Sequence, residues 1–250
     1  MRKVRNYNKI LNEFINISSP LEIKIMDSVH ANEECYPMFY FYYHTKAKYN
    51  IVINAGCHGN ESIGVKIMLR FLQEFDKEML NNYNIWLFPI VNPFGYVYDV
   101  RYNNMKYDIN RHCYSQKPFP IETAEFKIID DELPNRVDVF IDIHQNGKKN
   151  FYCYEKKRPN KASLASFGME EIKKQNIAIE ECALLYGEKC INGVVDSIKD
   201  KSNTFEDYAF RKGALYSLTL ENPNKTDEEE LIIGSLGFLK EVLNRFKELK

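Results

Sequence analysis

Ile51-Val52-Ile53-Asn54-Ala55-Gly56-Cys57-His58-Gly59-Asn60-Glu61-Ser62 changes its period within one short span. Ile51 to Gly56 is apolar and rich in β-branched residues, which predicts a strand buried on both faces. Gly59-Asn60 reads as a tight turn, and Glu61 opens a helix-like segment from Ser62 to Phe75. A strand passing directly into a helix is a repeating unit of α/β folds. The short turn aims His58 and Glu61 at one point. A bare His-x-x-Glu arises easily by accident in a chain holding 35 acidic residues, so its meaning comes from this setting.

Further apolar runs occur at Tyr36 to Tyr43, Ile85 to Val91, Val137 to Ile143, Phe151 to Tyr154 and Leu215 to Leu220. Helix-like segments lie between or after them at Thr123 to Leu133, Ser163 to Gly187 and Asp227 to Leu249. The expected fold is an α/β three-layer sandwich, with a central mixed, mostly parallel β-sheet flanked by helices. With 250 residues, 44% of them hydrophobic, one well-buried core suffices, and a single domain over 1–250 is expected.

A net charge of -1 gives no general basic field, so nucleic acid is not an expected partner. No apolar run reaches membrane-span length, and residues 1 to 20 are polar and basic, so a cytoplasmic protein is expected. The six cysteines are scattered without a Cys-x-x-Cys pair, which predicts mostly buried thiols, Cys57 and Cys113 among them.

In open α/β sheets, ligands bind beyond the carboxyl ends of strands. His58 follows one strand, His144 closes Val137 to Ile143, and Glu221 closes Leu215 to Leu220. Asp142 precedes His144 closely enough to orient its imidazole. Two histidines and one carboxylate, His58, Glu61 and His144, form a set that leaves a position on Zn²⁺ open for water. A separate glutamate must then move the proton, and Glu221 is the candidate. Arg101 could stabilise an oxyanion, while Asn110 and Arg111 could clamp a substrate carboxylate.

These residues resemble the zinc carboxypeptidase family, the funnelin-type metallocarboxypeptidases. The resemblance rests on His58-Gly59-Asn60-Glu61, Asn92-Pro93-Phe94-Gly95, Arg101, Asp108-Ile109-Asn110-Arg111, Glu122-Thr123 after Pro120, Asp142-Ile143-His144, Asp207-Tyr208 and Glu221. It implies zinc on His58, Glu61 and His144, Glu221 as general base and acid, and Arg101 at the oxyanion. Asn110, Arg111, Glu206 and Asp207 are the expected substrate-binding set. Lys199 stands where typical digestive members carry a tyrosine over bound peptide, a departure shared with the short cytosolic murein-peptide amidases and the succinylglutamate desuccinylase and aspartoacylase branch. Local sequence is most similar to the murein-peptide amidases.

Glu206 falls at the base of the family's specificity pocket. Either it is a buried carboxylate that favours a cationic substrate side chain, or the loop is shifted and it faces solvent. The expected activity is hydrolysis of an amide bond in a small peptide bearing a free carboxylate. The alternatives are an N-acyl amino acid deacylase and a catalytically silent peptide-binding protein.

Overall fold

The computed structural model describes residues 2–44, 47–75, 83–114, 121–197, 202–224 and 227–249. Lys199 and Pro120 lie outside these residues. Helix α1 (Tyr7–Ile15) buries Tyr7, Ile10 and Phe14 against the hairpin of β1 (Glu22–Ala31) and β2 (Glu34–Tyr43). Asn32 and Glu33 join those strands with positive φ at both positions, as a two-residue hairpin requires. Strand β3 (Tyr49–Ala55), helix α2 (Ile63–Gln73) and strand β4 (Tyr83–Phe88) form the first strand-helix-strand crossover. Then follow α3 (Pro93–Tyr98), α4 (Ala124–Asp130), β5 (Val139–Asn146), β6 (Tyr152–Lys157) and α5 (Ala165–Lys174). The chain continues through β7 (Leu184–Leu185), β8 (Glu188–Ile191), β9 (Val194–Asp196), α6 (Phe205–Arg211), β10 (Tyr216–Pro223) and α7 (Glu228–Leu249).

Among the described residues the strands make one sheet in the order β1-β2-β4-β3-β5-β10-β6-β9-β8-β7. Its centre, β4-β3-β5-β10, is parallel, and those strands are buried on both faces. The expectation of a mostly parallel sheet is corrected at the flanks. There β1–β2, β2–β4, β10–β6, β7–β8 and β8–β9 all pair antiparallel.

The Ser163 to Gly187 segment is a second correction. Its helix stops at Lys174, Asn176 turns to positive φ, and the remainder becomes extended. Tyr186-Gly187 and Asn192-Gly193, all with positive φ, reverse the chain between β7, β8 and β9. Asn-Gly is the strongest short hairpin signal a sequence offers, and it lies just beyond the apolar spacing that suggested a long helix.

Alternation along the strands divides the central sheet into two faces. One is apolar and receives α2, where Gly64 nests against Ile143 and Ala55, together with α7 and α5. The other receives α6, whose Phe205 stacks on Phe140 with ring centroids 6.3 Å apart. This second face carries His144 and Glu221. No helix among the described residues is long and apolar enough to cross a membrane.

Helices α5 and α7 meet at Gly168, where a Cβ would lie 2.3 Å from the fully buried Phe238 ring. Gly168→Ala should therefore cost about 1–3 kcal/mol of overpacking. The midpoint of chemical unfolding measures this, and an unchanged midpoint would mean that the two helices can separate freely.

Candidate active site

The first donor pair is set by backbone contact. His58 and Glu61 sit on a turn closed by the Glu61 N–H donating to the His58 carbonyl at 3.0 Å. At Gly59 a Cβ would fall 1.8 Å from the Gly95 carbonyl carbon, so these two glycines touch through bare backbone. Gly95 is held in turn because Asn92 Oδ1 caps α3 by accepting its N–H at 2.7 Å, with Pro93 at the helix start. The Asn92-Pro93-Phe94-Gly95 stretch thus forms a floor for the turn that carries His58 and Glu61, and it is buried.

The second part is set by strand register. Asp142 and His144 are two residues apart on β5 and share a face, while Ile143 points to the opposite, apolar face. Across the sheet His144 pairs with Glu221 and Glu221 with Tyr152; Asp142, Thr219 and Tyr154 occupy corresponding positions two residues earlier on β5 and β10 and two later on β6.

The side chains meet in a tight, buried cluster. His58 Nδ1 lies 2.8 Å from Glu61 Oε1, and His144 Nδ1 lies 2.9 Å from Glu61 Oε2. The two Nδ1 atoms are 3.1 Å apart. Behind them, His58 Nε2 meets Asp108 Oδ1 at 3.1 Å. His144 Nε2 lies 3.0 Å from Asp142 Oδ2, off the line of a good hydrogen bond. The Asp108 carboxylate favours an N–H on His58 Nε2 and leaves its Nδ1 facing the cluster, while His144 Nε2 lies between Asp142 and the Asn110 amide nitrogen and its Nδ1 faces Glu61. The backbone N–H of Gln145 also donates to Glu61 Oε2 at 3.0 Å.

Charge balance explains how such a cluster is tolerated. Burial pushes Glu61 upward, but His144 and His58 outweigh it and hold the carboxyl well below its usual range. Asp108 shows the same opposition, with His58 and Arg101 prevailing over burial. For His144 burial acts downward, while Asp142 and Glu61 raise it far above an ordinary histidine. Glu221 has no comparable counter-charge, and burial raises its carboxyl.

Asn60, Arg101, Asn110, Arg111, Asn146 and Glu221 line a cleft of about 480 Å³ together with the cluster. Arg101 donates to Asp108 through Nε at 2.9 Å, and its Nη1 lies 3.6 Å from Glu61. Asn110 Oδ1 accepts the Phe205 N–H at 3.0 Å, which turns its amide nitrogen toward His144 Nε2 at 3.3 Å. Arg111 is braced on the Asn110 carbonyl at 2.7 Å.

A second cavity of about 280 Å³ shares Asn110, Arg111 and Glu221 with the first and extends to Tyr154, Tyr186, Thr204, Glu206 and Thr219. Glu206 is 4% exposed and accepts hydrogen bonds from Ser197 at 2.7 Å and Thr219 at 3.2 Å. The structure therefore buries Glu206 at this cavity. It does not bring Asp207 into either: that carboxylate is buried on α6 against Tyr114 at 3.1 Å and Arg211 at 3.2 Å.

Several cleft residues carry little signal in the sequence. Asp108 stands out only as part of a motif, and Asn146, which donates to Glu221 Oε2 at 3.3 Å, has no pattern around it. Tyr154 was legible only as one member of a short apolar run. Tyr186 fell inside the segment read as helix. Cys57 and Cys113 are buried thiols whose pKa values burial raises, and all six cysteines are unpaired.

The donor set fits a divalent cation. Both Nδ1 atoms, 3.1 Å apart, face the same Glu61 carboxylate, so a cation can take the position that imidazole protons hold in its absence. Donor separations of 2.8 to 3.1 Å compare with a tetrahedral edge of about 3.3 Å for zinc–nitrogen bonds of about 2.0–2.1 Å. His58, Glu61 and His144 can each present one ligand atom, and all three are buried.

This geometry makes a candidate metal centre at the edge of the central sheet. The succinylglutamate desuccinylase/aspartoacylase catalytic domain matches residues 47–221, and the chain belongs to that family. Among curated proteins none matches the sequence. A Shewanella amazonensis protein described as a metallopeptidase is similar in structure, with TM-score 0.78 and 23% identity over 95% of this chain and 91% of its own. A metallo-carboxypeptidase from Burkholderia cenocepacia gives TM-score 0.70 and 18% identity over 98% of this chain and 69% of its own. Bovine thrombin-activatable fibrinolysis inhibitor, solved with tick carboxypeptidase inhibitor, gives TM-score 0.69 and 15% identity over 97% and 94%.

Gly59→Ala should displace the ligand turn from Gly95 and weaken metal binding by roughly 10-fold or more, an effect of the size that faulty ligand support produces. His144→Ala should abolish stoichiometric metal. Metal analysis after dialysis checks both, and full occupancy in the His144 variant would remove the basis of the site.

Proposed function

We propose that the protein is a zinc-dependent amide hydrolase acting on a small peptide that carries a free carboxylate. The observation that carries this reading is the convergence of His58 Nδ1, Glu61 and His144 Nδ1, backed by Asp108 and Asp142, beside Glu221 and Arg101 in one cleft. Zn²⁺ held by those three residues would supply Lewis acidity and lower the pKa of a water molecule.

The chain's own groups then have distinct tasks. Glu221 stands across β10–β5 from His144 and is no member of the donor cluster. It accepts a proton from the attacking water and returns it to the leaving amine. A carboxyl raised by burial suits both transfers better than an ordinary one. Arg101, fixed by Asp108, places a guanidinium edge where negative charge develops on the carbonyl oxygen. Arg111 and the Asn110 amide sit where the two cavities join and hold the substrate carboxylate. Glu206 then lies beneath the adjoining side chain and favours a cationic group such as that of lysine, arginine or diaminopimelate.

A second reading is favoured by the family match over residues 47–221: hydrolysis of an N-acyl amino acid. It uses the same proton path and the same carboxylate hold. The two differ in what occupies the Glu206 cavity, since an acidic side chain there would be repelled by a buried carboxylate.

Glu221→Gln should retain metal and lose roughly two to four orders of magnitude in turnover. Near-normal turnover would transfer the proton role to another group. On a panel of peptides, muropeptides and N-acyl amino acids, substrates with a cationic side chain should lead apolar ones by a few kcal/mol in kcat/KM, and Glu206→Gln should narrow the gap. Equal rates on both, unaltered by that substitution, would sink the cationic assignment and favour the deacylase reading.

A further inference from the structure

Arg5 lies outside residues 47–221 and yet reaches the ligand turn. Its Nη1 donates to the Gly59 carbonyl at 3.2 Å and to the Tyr96 carbonyl at 2.9 Å, and its Nη2 meets Asp99 Oδ1 at 2.7 Å. We propose that Arg5 is a positioning residue that ties the turn bearing His58 to the helix and loop leading to Arg101.

Each end of this tie falls where the backbone needs one. Gly59 follows the candidate ligand directly, and glycine is the residue least able to fix its own conformation. Besides the turn's own hydrogen bond, its nearest support among the described residues is backbone contact with Gly95 and Tyr96. At the other end Asp99 adopts a left-handed conformation, with φ 56°, as the C-cap of α3, and Arg101 follows two residues later. A planar guanidinium can satisfy two carbonyls and a carboxylate at fixed angles; an ammonium offers a single point.

Arg5 is itself held in place. The Val4 and Arg5 N–H groups both donate to the Val97 carbonyl, at 2.8 and 3.0 Å. The guanidinium lies 5.2 Å from the Tyr96 ring centroid. Tyr7 anchors the next residues through its hydroxyl on the Pro37 carbonyl at 2.6 Å and its ring edge on Tyr36. The ion pair with Asp99 is partly exposed, so the hydrogen bonds to the two carbonyls matter more than the charge.

The consequence for metal rests on the reading of His58 as a ligand; the consequence for the turn does not. In Arg5→Ala, amide hydrogen exchange should quicken by about tenfold in segments 57–61 and 96–101 of metal-free protein, because a charge-assisted bond to each has gone. Exchange in β5 and β10 should stay unchanged. Zinc affinity, measured by competition with a chromophoric chelator, should fall roughly tenfold. Added guanidinium should restore part of both losses, whereas Arg5→Lys should recover little. Lys3→Ala, which breaks the neighbouring pair with Glu34, should leave both readouts as in the parent protein.

Unchanged exchange in the two segments of Arg5→Ala, or faster exchange spread evenly over the sheet, would overturn the proposal. A parent protein that takes up no zinc, with the two segments loosened all the same in Arg5→Ala, would remove the metal reading and leave the tie standing.

Discussion

Two imidazole nitrogens held 3.1 Å apart, against a carboxylate that touches both, are tolerated in a protein interior only while positive charge balances the carboxylate. That charge comes from imidazole protons, which bond to Glu61, or from a cation that replaces them. Much of the surrounding architecture acts to prevent their separation. Asp108 and Asp142 stand behind the rings, the Gln145 backbone grips Glu61, and two glycines press the turn against α3. A cation bound at these atoms would compete with the protons that otherwise hold the cluster together.

Much of this was legible in the sequence because the determinants are local. The run Ile51 to Gly56, the turn at Gly59 and the helix after Ser62 lie where hydrophobic period and turn chemistry put them, with ends shifted by a few residues. The Asp142-Ile143-His144 triplet encodes its own geometry, since a period of two sends the carboxylate and the imidazole to one face and isoleucine to the other. The resemblance to zinc carboxypeptidases added the order of the motifs, and the family match and fold neighbours agree with it.

The remainder was set by contacts between segments distant in sequence. Asp108 precedes Asn110 and Arg111 in a motif that suggests substrate recognition, yet its carboxylate serves His58 and Arg101. Asp207 reads as a site residue from its neighbours in the chain, but it faces Tyr114 and Arg211. The antiparallel additions at the sheet edges escaped for another reason. Strands such as Leu184–Leu185 are too short to establish a period, and only the glycines at 187 and 193 betray them.

The pairing of His144 with Glu221 across β5 and β10 has a consequence for how the site can vary. Neighbouring strands lie about 4.7–4.9 Å apart, so the offset between candidate ligand and candidate base is inherited from the sheet's own ladder. Backbone hydrogen bonding acts as a ruler that no loop can stretch. The turns at Tyr186-Gly187 and Asn192-Gly193 can therefore change and reshape the cavity beside Glu206 without altering the offset between His144 and Glu221. With the roles proposed for these residues, selectivity and chemistry would be mechanically separable at that point, the cavity changing while His144 and Glu221 stay in register.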